Sequence, residues 1–226
     1  MPSGILYIVA TPIGNLDDIS ARALATLRQA DLILCEDTRV TKKLLDRFEI
    51  TVPCSSYHQH SGPTKTREIV AALGAGKTYA LVTDAGTPGI SDPGNLLVAE
   101  VVKRDPTIGI VPIPGACAAV TALSVSGLPT DKFLFLGFPP HKNKRQKFFQ
   151  QVAASQQTVV FYESGHRIIK CLQQLRQALE PARSIVICRE LTKQFEAIYR
   201  GTVSQLADTM QEERGEFVVI IAGTRL

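Results

Sequence analysis

Eight strand-like apolar runs recur along the 226 residues, at 5–10, 32–35, 80–83, 108–112, 133–138, 158–162, 185–188 and 217–222. Between most of them the apolar residues fall at helical spacing, as in Ile19, Leu24 and Leu27, then Leu44, Leu45 and Phe48, then Ile69, Val70 and Leu73, then Leu96, Leu97, Val98, Val101 and Val102. Strands that alternate with amphipathic helices cannot pair by tight hairpins. They predict an α/β chain with a largely parallel sheet covered on both faces. With 45% hydrophobic and 20% charged residues the chain is neither a disordered polymer nor a collagen-like repeat.

The length suits one large domain or two of about 110 residues, and the two-domain reading is preferred. Pro112-Ile113-Pro114-Gly115 supplies a stiff connector, giving domains at 1–113 and 114–226, although the same residues also suit an ordinary turn within one domain. Charge changes at this point. Up to Pro114 there are 11 Lys/Arg against 12 Asp/Glu, and from Gly115 onward 14 against 9, so the second half is the better partner for a polyanion.

Cys35, Cys54, Cys117, Cys171 and Cys188 are odd in number and lack metal spacing, as expected of a reduced cytoplasmic protein with no bound metal. No basic leader precedes the first apolar run, so no signal peptide is expected. Residues 106–130 carry no charge, but Gly109, Pro112, Pro114, Gly115 and Gly127 interrupt them. They read as a strand, a turn and a small-residue helix rather than a membrane span.

Residues 84–94, Asp84-Ala85-Gly86-Thr87-Pro88-Gly89-Ile90-Ser91-Asp92-Pro93-Gly94, follow a strand and precede a helix. Glycine lets a ligand approach the backbone and proline fixes the turn, although a tight turn without ligand has the same composition. Asp92 is the expected N-cap, with Pro93 at the first helical position. A similar loop, Ala10-Thr11-Pro12-Ile13-Gly14-Asn15-Leu16, follows the first strand. If that strand neighbours the one at 80–83, both loops open on one crevice. The small residues of Pro114-Gly115-Ala116-Cys117-Ala118-Ala119 would let a flat ring lie against the backbone. Gly74-Ala75-Gly76-Lys77-Thr78 imitates a phosphate loop but stands after a helix and before a strand, so it reads as a helix stop. No G-x-G-x-x-G dinucleotide fingerprint is present.

Polar clusters occupy other strand ends: Glu36-Asp37-Thr38-Arg39, Tyr57-His58-Gln59-His60-Ser61 after a third strand ahead of the run at 80–83, residues 162–167 and residues 189–196. Each alone reads as a solvated loop or cap, whereas four at strand ends suggest a functional rim. The densest basic run, His141 to Lys147, is either the solvated start of a helix or a grip on a nucleic-acid backbone. The adjacent Phe148 and Phe149 are expected in the core.

Seven of these segments, in order, resemble the ribosomal RNA small-subunit methyltransferase I family of the tetrapyrrole methylase superfamily: residues 9–16, 36–39, 84–94, 114–118, 161–164, 166–167 and 189–193. The resemblance spans about 4–223. It implies a two-domain tetrapyrrole-methylase-like α/β fold (class III methyltransferase) with S-adenosylmethionine held between the domains. It also implies 2′-O-methylation of a cytidine ribose in the decoding region of 16S rRNA in the small ribosomal subunit, in a homodimer. By position the cofactor would meet Pro12, Asp84, Gly86, Thr87, Pro88, Ile90, Cys117 and Ala118, with Tyr162 and Phe217 closing the adenosine side. Arg39, His58, His166 and Arg167 would hold RNA. A sulfonium cofactor carries no phosphate, which agrees with the missing dinucleotide fingerprint. The family usually has Pro where Gly165 stands, which predicts a less rigid loop here, and commonly continues into a charged helical segment beyond the position of Leu226.

The resemblance fixes no general base. Lys193 is the first candidate if its pKa is lowered, with Glu163 and Glu190 as alternatives; an ion pair of Lys193 with Glu190 or Glu196 is the plainer reading. Two other functions stay open, a tetrapyrrole or protein methylase of the same superfamily and a non-catalytic RNA-binding ribosome-assembly factor.

Overall fold

A computed structural model describes residues 4–58 and 61–224. Gln59 and His60 of the histidine cluster lie outside the described residues. The chain divides into two compact units, Met1–Cys117 and Ala118–Leu226.

The first unit alternates strand and helix: β1 (Ile5–Val9), α1 (Ala21–Gln29), β2 (Leu32–Cys35), α2 (Thr38–Arg47), β3 (Cys54–Ser56), α3 (Pro63–Gly74), β4 (Thr78–Leu81), α4 (Asn95–Arg104) and β5 (Gly109–Ile113). All neighbours in the order β3-β2-β4-β1-β5 are parallel. Alternating strand residues serve opposite faces. Val9, Ile33 and Val82 pack with Ala23 and Leu27 of α1 and Leu45 of α2; Leu6, Leu34 and Leu81 pack with Leu73 of α3 and Leu97 and Val101 of α4. The helix after β1 therefore covers one face, and the helix after the adjacent β4 covers the other.

Local chemistry sets the helix ends. Ser20 accepts the Ala23 N–H to open α1, and Asp37 accepts the Arg39 N–H to open α2. The 74–78 segment stops α3, with Gly76 at φ +91°. The expected cap of α4 is corrected: Gly94, not Asp92, stands at the N-cap. Its φ of +139° swings the chain into the helix two residues later, and a Cβ there would come within 3.0 Å of Leu81.

The second unit comprises α5 (Ala118–Ser124), β6 (Phe133–Phe135), α6 (Arg145–Ala154), β7 (Thr158–Ser164), α7 (Gly165–Ala178), β8 (Ser184–Arg189), β9 (Ala197–Thr202), α8 (Val203–Thr209) and β10 (Glu216–Ile221). Here the expected parallel sheet is corrected. In the order β6-β7-β10-β8-β9 only β6 and β7 are parallel, because β10 enters antiparallel between β7 and β8 and β9 folds back on β8. β9 lies outside the eight apolar runs because it is a half-exposed edge strand. Phe148, Phe149, Phe161, Leu172, Phe217 and Val219 belong to one core on the α6–α7 side of the sheet.

The unit boundary falls after Cys117, four residues beyond the expected one. Residues 114–117 pack on the first unit: Gly115 approaches Ala10 so closely that a Cβ would sit 2.9 Å from the Ala10 Cβ, and the Thr87 hydroxyl donates to the Ala116 carbonyl at 3.1 Å. The uncharged stretch resolves into β5, a turn and α5, and among the described residues no helix is long and apolar enough to cross a membrane. All five cysteines are free; burial pushes the Cys54 and Cys188 thiols up to about 11, which keeps them protonated and unreactive.

Candidate functional site

Because α1 and α4 leave adjacent strands towards opposite faces, the loops after β1 and β4 part above the carboxyl edge of the first sheet, where open α/β sheets receive ligands. The two loops are tied to each other at one point. The Thr11 N–H donates to the Gly86 carbonyl at 2.9 Å and the Gly86 N–H to the Thr11 carbonyl at 3.1 Å, while the Thr11 hydroxyl donates to the Thr83 carbonyl. With the Thr87–Ala116 bond, the loops after β1, β4 and β5 form one framework. Gly86 sits at φ +81°, and its missing Cβ leaves space beside Ile13 and the Ala116 carbonyl.

Of the expected cofactor residues, Pro12, Asp84, Gly86, Thr87, Pro88, Ile90 and Cys117 are thus brought to this framework. Pro12, Gly86 and Pro88 are buried in it, and Asp84 and Ile90 are exposed. Asp84 Oδ1 accepts the Asp37 N–H at 3.1 Å, which joins the loop after β2 to the same edge. Burial, and then the Asp37 carboxylate, raise the Asp84 pKa against the pull of that N–H; Glu36 is raised by burial and by Asp84. Asp37 is held at about 2 by the Arg39 side chain and its N–H. Arg39, expected to meet RNA, folds onto Asp37 at 2.6 Å while staying 87% exposed. His58 lies beside a cavity of about 320 Å³ between α3 and α4, lined also by Tyr57, Pro93, Asn95 and Arg104.

In the second unit, Ala118 begins α5, and the Tyr162 hydroxyl accepts the Ala119 N–H at 3.2 Å. Tyr162 packs edge-on against Phe135 and tilted against Phe138, with ring centroids 5.1 and 5.3 Å away. Phe217 pairs with Glu163 in register, one position from the Val218–Tyr162 pair, so it faces away from Tyr162. Its side chain, expected on the adenosine side, is instead 2% exposed within the α6–α7 core.

The same alternation removes Glu163 from the candidate bases. Its Oε2 lies 3.1 Å from Arg145 Nη2, its Oε1 accepts the Ser164 N–H, and its side chain is fully buried. Its carboxylate is closed off from solvent. Arg145 also donates to Gln174 and the Pro140 carbonyl, and its guanidinium lies 5.2 Å from the centre of the Phe149 ring. The basic run reads from sequence as a solvated helix start or a grip on nucleic acid, yet Arg145, Phe148, Phe149 and Val152 fall at helical spacing. That stripe was the available signal.

Lys193 sits between two carboxylates, 3.0 Å from Glu190 Oε1 and 2.8 Å from Glu216 Oε2. Partial burial lowers its pKa, but the two carboxylates outweigh it and the net shift is upward. The lowered pKa that a lysine base needs is therefore absent, and Lys193 is cationic at neutral pH. Burial raises Glu190, but the Glu216 N–H and Lys193 outweigh that effect and bring it below its ordinary value. His166 is exposed on the first turn of α7, and Arg167 contacts His141. Among the described residues no cluster of His, Cys, Asp and Glu suits a metal ion.

The sequence profile of the tetrapyrrole (corrin/porphyrin) methylases matches residues 5–207. The ribosomal RNA small subunit methyltransferase I of Synechocystis sp. is 49% identical over 223 residues, covering 97% of this chain and 79% of that protein. The chain belongs to the ribosomal RNA small subunit methyltransferase I family. The family member of Halalkalibacterium halodurans is 47% identical, covering 97% and 76%. The crystal structure of uroporphyrin-III C-methyltransferase from Thermus thermophilus, complexed with S-adenyl homocysteine, shares the fold with a TM-score of 0.66 at 16% identity, covering 97% of each chain.

Gly165, where the resemblance leads to the expectation of a less rigid loop, lies against neighbouring backbone. The Gly165 N–H donates to the Gly215 carbonyl at 2.9 Å, and a Cβ would lie 2.4 Å from the Glu213 carbonyl oxygen. The missing side chain admits the backbone of Glu213 and Arg214.

Proposed function

We propose that this chain transfers the methyl group of S-adenosylmethionine to the 2′-hydroxyl of a cytidine ribose in the decoding region of 16S rRNA. The observation that carries this reading is the identity of nearly half the residues, along almost the whole chain, to relatives named for methylation of small-subunit rRNA. The Gly86 gap fits the cofactor, because a Cβ there would occupy the space that a ligand lying on the backbone needs. Pro12, Gly86, Thr87, Pro88, Ile90 and Cys117 would hold it, with Asp84 offering a carboxylate to the sulfonium. When bound, the cofactor supplies an activated methyl on a good leaving group.

Positioning of the ribose and removal of its proton are left to the protein. Glu190, an ionised carboxylate, is the group we assign to take the 2′-hydroxyl proton, and Lys193 beside it is a cation suited to an RNA phosphate. Arg39, His58, His166 and Arg167 would add further contacts to RNA, and Ala118 and Tyr162 keep their expected place near the cofactor within this reading. A homodimer located in the cytoplasm belongs to the same proposal. The test is transfer of labelled methyl from S-adenosylmethionine to purified small ribosomal subunits, followed by mapping of the modified nucleotide. Label on a 16S ribose is expected. Label only on ribosomal protein, or none, would overturn the proposal.

A further inference from the structure

Phe148 and Phe149, the phenylalanines next to the basic run, are buried, but Phe138 ahead of it is 53% exposed. An exposed aromatic on a loop ordinarily belongs to a mobile tip. This loop is tied at both ends. The Tyr162 N–H donates to the Gly137 carbonyl at 2.8 Å, Gly137 turns at φ +62°, and the Phe138 ring leans on Tyr162. Two residues on, the Pro140 carbonyl accepts from Arg145, whose guanidinium is itself fixed by the buried Glu163 carboxylate. Pro139 between them is buried. The strap from Gly137 to Pro140 thus presents an aromatic ring to solvent beside Tyr162.

The chain that follows the ring carries charge of one sign. From Phe138 to Lys147 there is no carboxylate, while His141, Lys142, Lys144 and Lys147 are exposed, and Arg167 reaches His141 from α7. A rigid aromatic face beside cations is the arrangement with which proteins hold unpaired nucleotides, the ring stacking on a base and the cations meeting the phosphates. We propose that Phe138 is a stacking platform for an unpaired base of the RNA substrate, with Lys142, Lys144 and Lys147 on the adjoining phosphates. Glu163 and Arg145 act as positioning residues for this platform. The inference rests on the rRNA reading above for its choice of partner.

The chain has no tryptophan, so Phe138→Trp introduces a single indole at the ring position. Its fluorescence should be quenched by 16S rRNA fragments, with a midpoint that weakens as salt is raised, and should not respond to S-adenosylhomocysteine. Quenching by S-adenosylhomocysteine alone would place the ring against the cofactor and overturn the proposal, as would the absence of quenching by RNA. In parallel, Phe138→Ala should raise KM for small subunits roughly tenfold with little change in kcat and unchanged affinity for S-adenosylhomocysteine, and Phe138→Tyr should restore it. An unchanged KM overturns the stacking role and leaves the methylation reading intact. If the wild-type protein methylates no rRNA, that reading fails on its own, and gel-shift comparison of wild type and Phe138→Ala on 16S rRNA still decides the stacking role.

Discussion

Arg145 and Glu163 form an ion pair inside the second unit, Nη2 to Oε2 at 3.1 Å, with side chains 8% and 0% exposed. Each charge is tolerable there because the other is present and because Gln174, the Pro140 carbonyl and the Ser164 N–H add further hydrogen bonds. Removing one partner strands the other in the core. Arg145→Met is therefore expected to lower stability by about 3–5 kcal/mol, and the double variant Arg145→Met/Glu163→Gln to be more stable than Arg145→Met alone. Urea unfolding of the two variants checks this; equal midpoints would mean that the pair is uncoupled.

Lys193 and Glu190 should leave a mark on stability against pH. The folded-state pKa of Lys193 is raised, so its contribution is complete below its ordinary 10.5 and fades as pH climbs through the higher folded value. Glu190 is lowered, so its contribution is complete above 4.5 and fades as pH falls through the lower folded value. The stability difference between wild type and Lys193→Met is expected to be flat between those limits and to shrink at both extremes. Thermal unfolding across the pH range measures it. In the methylation assay Lys193→Arg should keep most of the activity, because a cation and not a base is needed; loss as complete as in Lys193→Ala would restore lysine as the base.

The Asp37 carboxyl should titrate near 2, with the stability it lends present above 3.8 and lost as pH falls through about 2. In Arg39→Ala the midpoint should move back up towards 3.8, since the guanidinium is the largest cause of the depression. Carboxyl chemical shifts followed by NMR give both values. If RNA draws Arg39 away from Asp37, the same upward movement should accompany RNA binding.

Asp84 predicts a difference between two ligands. Its raised pKa means that acidification neutralises it earlier than an ordinary aspartate. Affinity for S-adenosylmethionine, a cation, should fall as pH drops through that value, and affinity for the neutral-sulfur S-adenosylhomocysteine should fall less. Calorimetry at several pH values compares them, and parallel losses would remove Asp84 from the sulfonium.

Gly165→Ala is expected to destabilise by about 1–3 kcal/mol, because the added Cβ meets the Glu213 carbonyl oxygen at 2.4 Å and backbone must move to admit it. Gly127→Ala is a useful contrast. It sits at φ +75° with nothing within 4 Å of the added atom, so any cost there reports backbone conformation alone. Melting temperatures of the pair separate the two effects.

The sequence by itself determined the alternation of strand and helix in the first unit, the three loops at the carboxyl ends of β1, β4 and β5, and the helix stop at Gly76. These follow from spacing and from glycine and proline chemistry, which act over a few residues. The family was legible for a similar reason, as ordered short motifs. Tertiary structure alone decided which side chains point where. A one-residue step along β7 sends Glu163 into the core and Tyr162 to the other face, and the register of β10 against β7 commits Phe217 to the Glu163 side. The antiparallel entry of β10 joins Glu216 to Ser164 and Phe217 to Arg189, pairings that no local pattern encodes. Lys193 shows the same limit in electrostatic form: its proximity to Glu190 is local, but Glu216 arrives from β10, and the two carboxylates together fix its charge.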